Sequence, residues 1–345
     1  MQKNHHKRKQ IIFFIPKIVI PFCLFVLVIF LMAGSALSSE SRYKITRRDL
    51  IFGLSFSGPD IGIAVGSKGL ILRTMNRGGD WAKIESKTFY AFNDVTLRDT
   101  KGWIVGQGGT ILFSADSGKT WKPQKTNTNL SLMQILFLDE KKGITIGEMG
   151  TVLATDDGGN AWIPIEIDWF SILPESLLEM GVIAPNLYDI TFASDRNGFM
   201  VGDYGIVLAT DNGGQTWTLL RAGNLPPIFS VSFVDRREGW AAGQNGLLLH
   251  TTDGGLNWKQ IDIPTNASLY KIYLSGEHGF IVGNQATILQ TCNSGKAWTK
   301  VDLKIPPPYP WFGDIAVAAN SCPVELVLGG SGLISKVSIS VNLED

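Results

Sequence analysis

The sequence has few of the residues from which metal and thiol sites are usually built. Its 345 residues include three cysteines and four histidines. Beyond the first 36 residues only Cys292, Cys322, His250 and His278 remain, and their spacing is not that of a metal-ligand cluster. Two cysteines are compatible with a disulfide or with isolated buried thiols. We therefore predict no metal site, no cofactor and no catalytic residue.

Acidic residues are absent from residues 1–36, which contain Lys3, Lys7, Arg8, Lys9 and Lys17. The chain as a whole has 31 basic and 31 acidic residues, so removing these five leaves 26 bases, 31 acids and a net charge of −5. A mildly acidic domain is poorly suited to a phosphate backbone. This charge distribution argues against a nucleic-acid partner.

The N-terminal segment has the order of an export signal. Its basic stretch precedes residues 18–34, which contain no charge, and small residues follow at Gly34, Ser35 and Ala36. The apolar run is also long enough for an uncleaved membrane anchor. Basic residues before it predict a cytoplasmic N-terminus and an extracytoplasmic remainder, on the periplasm or lumen side. We expect residues 1–38 to be a signal peptide or a membrane anchor.

Six turns of one kind repeat along the chain, and each ends in tryptophan. Successive tryptophans are 40, 41, 55, 41 and 40 residues apart, and glycine-rich turns such as Gly106 to Leu112 precede the boxes. Four short strands per repeat are typical of a propeller blade, and a degenerate seventh unit begins near Asp314. We predict an all-β fold, a seven-bladed β-propeller of four-stranded antiparallel blades over residues 42–341, with an insertion near 166–184. Arg42 to Thr46 are expected to complete the last blade.

The repeated turn, called the Asp-box below, is interpreted as a folding device. Its glycine tolerates a positive φ, and the Asp or Asn two residues earlier can accept hydrogen bonds from turn amides. Asp and Asn exchange freely among the six boxes, which a metal site would not tolerate. Tryptophan suits packing between blades. The structural box residues are Asn76, Trp81, Asp116, Trp121, Asp157, Trp162, Asn212, Trp217, Asp253, Trp258, Asn293 and Trp298.

The full repeat resembles that of the photosystem II stability and assembly factor family of Asp-box, or bacterial neuraminidase repeat, propellers. The resemblance lies in Gly102 to Gly106, the run Gly109 to Leu112 and the following box, and it extends over roughly residues 45–340. It implies a non-catalytic lumenal domain that helps assemble a membrane complex. The expected partner is a protein or peptide, with membrane contact through the N-terminal segment.

Propeller geometry places the links between blades and the turns between second and third strands on one face, opposite the Asp-boxes. Aromatic residues and the 55-residue spacing concentrate on that face, and polar residues begin the inner strands. Such a rim is typical of a protein-binding surface. The expected partner-binding residues are Asp94, Gln134, Glu148, Trp169, Phe170, Asp189, Asp203, Tyr204, Lys271, Tyr309, Trp311 and Asp314.

Two alternatives remain open from the sequence. A glycan-binding module would use the same aromatic rim to stack sugars. A sialidase-like glycoside hydrolase would need an arginine triad, a tyrosine nucleophile and an acid. Most arginines after the leader are predicted beside boxes or in turns between first and second strands. A carboxylate pair among Asp94, Asp189, Asp203 and Asp314 is not excluded by the sequence.

Overall fold

The computed structural model describes residues 42–223, 225–305, 307–319 and 324–339, without the side chains of residues 318, 319, 324 and 339. The predicted signal or anchor at residues 1–38 and Cys322 lie outside these ranges. No helix within the described ranges has the length and apolar character needed to cross a membrane.

Seven antiparallel sheets follow one another along the described residues, and each is one blade. The inner strands are β1 (Ile51–Ser57), β5 (Phe92–Arg98), β9 (Leu132–Phe137), β13 (Leu187–Phe192), β17 (Ile228–Phe233), β21 (Leu269–Ser275) and β25 (Phe312–Ala319). The second strands are β2 (Ile61–Gly66), β6 (Lys101–Gly106), β10 (Gly143–Gly147), β14 (Gly198–Gly202), β18 (Gly239–Gly243), β22 (His278–Gly283) and β26 (Val324–Gly330).

The third and outer strands are shorter in most blades. The third strands are β3 (Ile71–Thr74), β7 (Ile111–Ser114), β11 (Val152–Thr155), β15 (Val207–Thr210), β19 (Leu248–Thr251), β23 (Ile288–Thr291) and β27 (Leu333–Ile339). The outer strands are β4 (Ala82–Ile84), β8 (Lys122–Gln124), β12 (Ile163–Pro164), β16 (Thr218–Arg221), β20 (Lys259–Gln260) and β24 (Thr299–Lys300). Six blades therefore have four strands, and the seventh has three among the described residues.

The blades close into a ring. Each inner strand contacts the next one along the chain, and β25 of blade 7 contacts β1 of blade 1. At this closure the Leu54 N–H donates to Asp314 Oδ2 at 2.7 Å, and Leu50 forms a bridge with Ser331. The prediction of a seven-bladed β-propeller is confirmed.

The segment that begins the described chain does not complete the last blade. Arg42 bridges Ala82 of blade 1, and the Tyr43 N–H donates to the Trp81 carbonyl at 2.7 Å. The prediction that Arg42 to Thr46 supply a strand to blade 7 is therefore wrong. The reason is that the main chain at Arg42 and Tyr43 hydrogen-bonds to residues at and just after the first Asp-box.

The hydrophobic core is divided into layers between neighbouring blades. Second strands such as β10 and β14 are buried at every residue because blades cover both of their faces. Between blades 2 and 3, Trp103 stacks on Phe137 with ring centroids 3.6 Å apart. Between blades 4 and 5, Phe199 stacks on Phe233 at 3.6 Å. Large aromatic and branched residues are needed here because the blades diverge from the ring axis.

The two faces of the ring differ as predicted from the turn pattern. On one face the link before blade 2 meets the turn between its second and third strands, where Ala91 and Gln107 exchange hydrogen bonds at 2.9 and 3.0 Å. On the other face the Ser117 N–H of a box donates to the Thr100 carbonyl of the turn between first and second strands at 2.7 Å. We call these the mouth face and the box face.

The insertion between blades 3 and 4 contains two short helices, α1 (Trp169–Ile172) and α2 (Glu175–Glu179). The Asp168 side chain caps α1 by accepting the Ser171 N–H at 3.3 Å. Leu173 and Leu177 are buried in the cluster between blades 3 and 4. The insertion is therefore packed into the propeller core along one side.

Candidate functional site at the mouth of the central channel

A β-bulge interrupts the start of every inner strand. The pairing with the second strand skips one residue in each blade, for example Tyr188 between Leu187 and Asp189. A bulge leaves the extra residue unpaired and redirects its side chain. The skipped residues, called the bulge ring, are Phe52, Asn93, Met133, Tyr188, Phe229, Tyr270 and Gly313.

The residues that follow the bulges form a second ring, called the inner ring. Its members are Gly53, Asp94, Gln134, Asp189, Ser230, Lys271 and Asp314. Five of these, Asp94, Gln134, Asp189, Lys271 and Asp314, line one cavity of about 90 Å³ together with the bulge ring. All seven blades contribute to this mouth cavity. The structure thus brings together five of the side chains that the sequence placed on the partner-binding face.

The inner ring also ties each blade to its successor. Asp94 accepts the Ile135 N–H at 3.0 Å, Asp189 accepts the Val231 N–H at 2.9 Å, and Ser230 accepts the Ile272 N–H at 3.2 Å. Gln134 accepts the Ile190 N–H in the same way. With the Asp314 bond at closure, five of seven inner-ring positions make this contact. Sequence reasoning missed this structural role, whose signal was a polar residue recurring after the first buried position of the inner strand.

Lys271 and Gly53 interrupt the pattern because neither side chain can accept a hydrogen bond. The Lys271 Nζ instead donates to Asp189 Oδ1 at 3.1 Å, with side chains 30% and 3% exposed respectively. Burial alone would lower the pKa of Lys271, but attraction by Asp189, Asp314 and Asp94 raises it. The mouth cavity therefore contains one ammonium group facing three carboxyl groups.

The other two carboxyl groups of the cavity bind protons more tightly than an ordinary aspartate. Burial raises the pKa of Asp94 to about 7, against the opposing attraction of Lys271. Burial also raises the pKa of Asp314 to about 6, again opposed by Lys271. The two carboxyl groups repel each other when ionised. A single lysine is thus insufficient to keep both in the ordinary acidic range.

Five aromatic rings run in sequence around the mouth, and we call them the aromatic arc. Ring centroids are 5.4 Å apart for Tyr188 and Phe229, and 5.6 Å for Phe229 and Tyr270. Tyr270 lies 6.4 Å from Trp311, which stacks on Phe52 at 5.8 Å. The arc covers blades 4, 5, 6, 7 and 1. Asn93 and Met133 interrupt it at blades 2 and 3.

Trp311 is the member of the arc that is not a bulge-ring residue. The bulge residue of blade 7 is Gly313, and a Cβ added there would lie 2.7 Å from the Trp311 ring. The tryptophan therefore occupies the space that a bulge side chain fills in other blades. Only glycine at position 313 leaves room for this arrangement.

The remaining predicted partner-binding residues differ in accessibility. Glu148 and Asp203 accept the N–H groups of Ser131 and Asn186 at 2.9 and 3.1 Å, which fixes the links between blades. Asp203 also accepts the Tyr188 hydroxyl at 2.8 Å, and Tyr204 packs against the core cluster between blades 3 and 4. On the insertion and the last link, Phe170 and Tyr309 are 78% and 57% exposed.

Trp169 requires a correction. It was expected on the partner-binding face, but it is 8% exposed and belongs to the core between blades 3 and 4. Its indole lies over Gly150, where an added Cβ would be 2.1 Å from Nε1. The neighbouring Phe170 points outward because successive positions of a helical turn face different directions.

The Asp-boxes lie on the box face and share one hydrogen-bond pattern. In the fourth box Asn212 Oδ1 accepts the Thr216 N–H at 3.1 Å and the Thr210 hydroxyl at 2.8 Å. The Thr210 hydroxyl accepts the Gly214 N–H at 3.0 Å. In the corresponding bonds of the second box, Asp116 replaces the asparagine. No group of three or more His, Cys, Asp or Glu side chains in the described part of the chain is arranged for a metal ion.

A family model described as photosynthesis system II assembly factor YCF48 matches residues 36–163, 171–267 and 228–311. Among curated proteins, the chloroplastic photosystem II stability/assembly factor HCF136 of Arabidopsis thaliana is 30% identical over 69 residues, 18% of this chain and 17% of the relative. The photosystem II assembly lipoprotein Ycf48 of Synechococcus is 34% identical over 81 residues, 22% of this chain and 24% of the relative. The aligned region thus spans less than a quarter of each relative's length.

Solved structures share the fold over most of the chain. One described as YCF48 bound to D1 peptide is 17% identical, covers 87% of this chain and 95% of its own, and has a TM-score of 0.68. YCF48 from Cyanidioschyzon merolae is 17% identical, covers 83% and 94%, and has a TM-score of 0.66. The GH74 xyloglucanase of Xanthomonas campestris is 11% identical, covers 85% and 52%, and has a TM-score of 0.67.

Proposed function

Because the chain belongs to the photosystem II assembly factor YCF48 family, we propose that it is an exported, non-catalytic scaffold that binds a protein or peptide on its mouth face. Its role would be to assist assembly of a membrane complex. One structure of the same fold is described as YCF48 bound to D1 peptide, which supports a peptide partner by analogy. The observation that carries the proposal is the mouth cavity, which all seven blades form, together with the aromatic arc beside it.

Exposed apolar residues extend this surface beyond the cavity. Phe89 and Tyr90 on the first link are 91% and 55% exposed, and Tyr309 on the last link is 57% exposed. On the insertion, Met180 and Ile183 are 70% and 75% exposed. Large exposed apolar side chains on connecting segments favour a protein interface over a purely structural surface.

The proposed location is the periplasm or lumen side. Support comes from the basic and apolar segments of residues 1–38 and from relatives described as chloroplastic and as a lipoprotein. We propose that residues 18–34 either direct export and are removed or remain as a tether. Fractionation of cells that express the full chain tests this, since a cytosolic product of unchanged mass would contradict both forms.

The proposal of partner binding can be tested by site-specific photocrosslinking in native membranes. A photoreactive phenylalanine analogue replaces Tyr309 on the mouth face, and a second replaces Leu256 in a box as the control. The two positions are matched in exposure, at 57% and 66%. We expect a partner adduct from position 309 and none from position 256. An adduct from position 256 alone would place the interface on the box face instead.

A glycoside hydrolase is the alternative function, and the GH74 similarity is the observation that favours it. The mouth cavity argues against it, because its carboxylates are bonded within the propeller: Asp189 is paired with Lys271. Asp94, Asp189 and Asp314 also each accept a main-chain N–H from the next blade. Release of reducing sugar from a polysaccharide panel, lost on replacing these aspartates, would establish the alternative.

A further inference from the structure

We propose that the mouth cavity binds one cationic side chain, a lysine or arginine of the partner, between the carboxylates of the inner ring and the aromatic arc. This inference rests on the proposed function and specifies the chemistry that the partner presents. The proposed site differs from a general peptide-binding surface because the partner must present a positive charge at one point.

The charge of the cavity is the first argument. Three aspartates and one lysine line it, so its formal charge is −2 when all four are ionised. Lys271 donates to Asp189, which lies on blade 4. Asp94 on blade 2 and Asp314 on blade 7 each accept a main-chain N–H, at 3.0 and 2.7 Å, and within the described ranges neither forms an ion pair. A further cation would therefore be attracted toward blades 7 and 2.

The aromatic arc is the second and independent argument. A cation above an aromatic face is attracted by the ring quadrupole, most strongly by tryptophan. Trp311 and Phe52 stack with an interplanar angle of 5°, so their faces are parallel. Tyr270 stands at 84° to Trp311. Phe52 and Tyr270 both line the cavity, so it has aromatic rings in two nearly perpendicular orientations.

The size of the cavity identifies which part of a partner enters. The cavity has a volume of about 90 Å³, which suits the head of one side chain. A folded element would remain outside. An acidic side chain would fit by size but would be repelled by Asp94 and Asp314. A cationic head is therefore the class of group that both the volume and the charge accept.

The test uses the full-length protein in detergent and two small probes that have nearly the same shape. N-acetyl-argininamide carries the guanidinium, and N-acetyl-citrullinamide replaces it with a neutral urea. Binding is followed by tryptophan fluorescence and by calorimetry at low ionic strength and pH 8, where Asp94 and Asp314 are ionised. We expect saturable binding of the arginine probe that is at least about tenfold tighter than that of the citrulline probe. It should weaken as salt is added.

Three variants and one control variant locate the site. Asp314→Asn keeps an acceptor for the Leu54 N–H and should lower the affinity for the arginine probe about tenfold. Tyr270→Leu should lower this affinity by about threefold to tenfold, whereas Tyr270→Phe keeps the aromatic ring and should retain binding. Asp139→Asn removes the same charge from a turn on the box face and should leave binding unchanged.

Two results would overturn the inference: equal binding of both probes, or equal arginine affinity of the protein and Asp314→Asn. The proposed function fails separately. If position 309 crosslinks a partner while the two probes bind equally, the scaffold proposal stands and the cation site does not. If the arginine probe binds selectively but position 309 gives no adduct, the cation site stands alone.

Discussion

The Lys271 ammonium lies 3.1 Å from Asp189 Oδ1 and connects blade 6 to blade 4 across the channel mouth. Asp189 also accepts the Ser230 hydroxyl at 2.6 Å and the Val231 N–H at 2.9 Å from the intervening blade 5. One carboxylate therefore joins three consecutive blades. Its side chain is 3% exposed, so this charge is stable there only with its partners present.

Replacing Lys271 with methionine should destabilise the propeller. Loss of one partner of a buried ion pair typically costs about 3–5 kcal/mol, and the 30% exposure of Lys271 together with the three remaining hydrogen bonds of Asp189 reduces this. We expect a loss of about 2 kcal/mol in the free energy of unfolding, measured by urea denaturation at pH 8.

The double variant Lys271→Met with Asp189→Asn is the matched control. The asparagine keeps an acceptor for the Val231 N–H but carries no buried charge, so it should recover at least half of the loss. An equal or greater loss in the double variant would show that Lys271 acts through packing instead of charge.

The stability of the fold should fall as the pH rises from about 4 to 7. An unfolded aspartate ionises near pH 3.9, whereas the folded-state pKa is about 7 for Asp94 and about 6 for Asp314. In this window the folded state binds more protons than the unfolded state, so the free energy of unfolding decreases with pH. Below the window both states are protonated at these sites, and above it both are ionised.

Asp94→Asn isolates this effect. It should flatten the decline between pH 4 and 7 and raise the stability at pH 8 by up to about 4 kcal/mol, as measured by denaturation across the pH range. Asp139→Asn serves as the comparison, because the N–H groups of Lys142 and Lys141 lower the pKa of that carboxyl and its effect lies below the window. A slope unchanged by Asp94→Asn would contradict the assignment.

The repeat of the box and the recurring polar residue of the inner strand were sufficient to predict the propeller and five residues of the mouth cavity. The aromatic arc was only partly visible. Alternation along a strand puts Tyr188 and Asp189 on opposite faces, and the bulge that brings both to the mouth depends on cross-strand register. Register is a property of two strands, so one strand's sequence does not show it.

The insertion illustrates a second limit. Trp169 and Phe170 are adjacent aromatics, and the sequence gives no reason to separate them. Trp169 is buried and Phe170 is exposed because Gly150, nineteen residues before Trp169, leaves space for the Trp169 indole. Burial in a loop therefore depended on a distant glycine and was not predictable from local composition.

The Asp-box bonds should matter through the acceptor oxygen and not through charge. Asn212→Ala removes the acceptor for the Thr216 N–H and the Thr210 hydroxyl and should cost about 1–2 kcal/mol of unfolding free energy. Asn212→Asp keeps that oxygen, as Asp116 does in the second box, and should change stability by less than about 0.5 kcal/mol. Dialysis against a chelator should leave the melting temperatures of all three proteins unchanged. Loss of stability on chelation would contradict this and indicate a metal ion at the box.

Gly150→Ala should release the insertion from the propeller. Gly150 has a φ of +67°, and an added methyl would also lie 2.1 Å from the Trp169 indole. Gly181→Ala is the matched control, because Gly181 has a φ of +80° but no atom within 4 Å of the added methyl. Both variants introduce strain from a left-handed backbone conformation. The difference between their unfolding free energies therefore measures the clash alone. We expect Gly150→Ala to be less stable by at least about 2 kcal/mol than Gly181→Ala and to be cleaved faster by chymotrypsin between residues 166 and 184. Equal stability and equal cleavage of the two variants would mean that the insertion does not depend on Trp169 for its attachment.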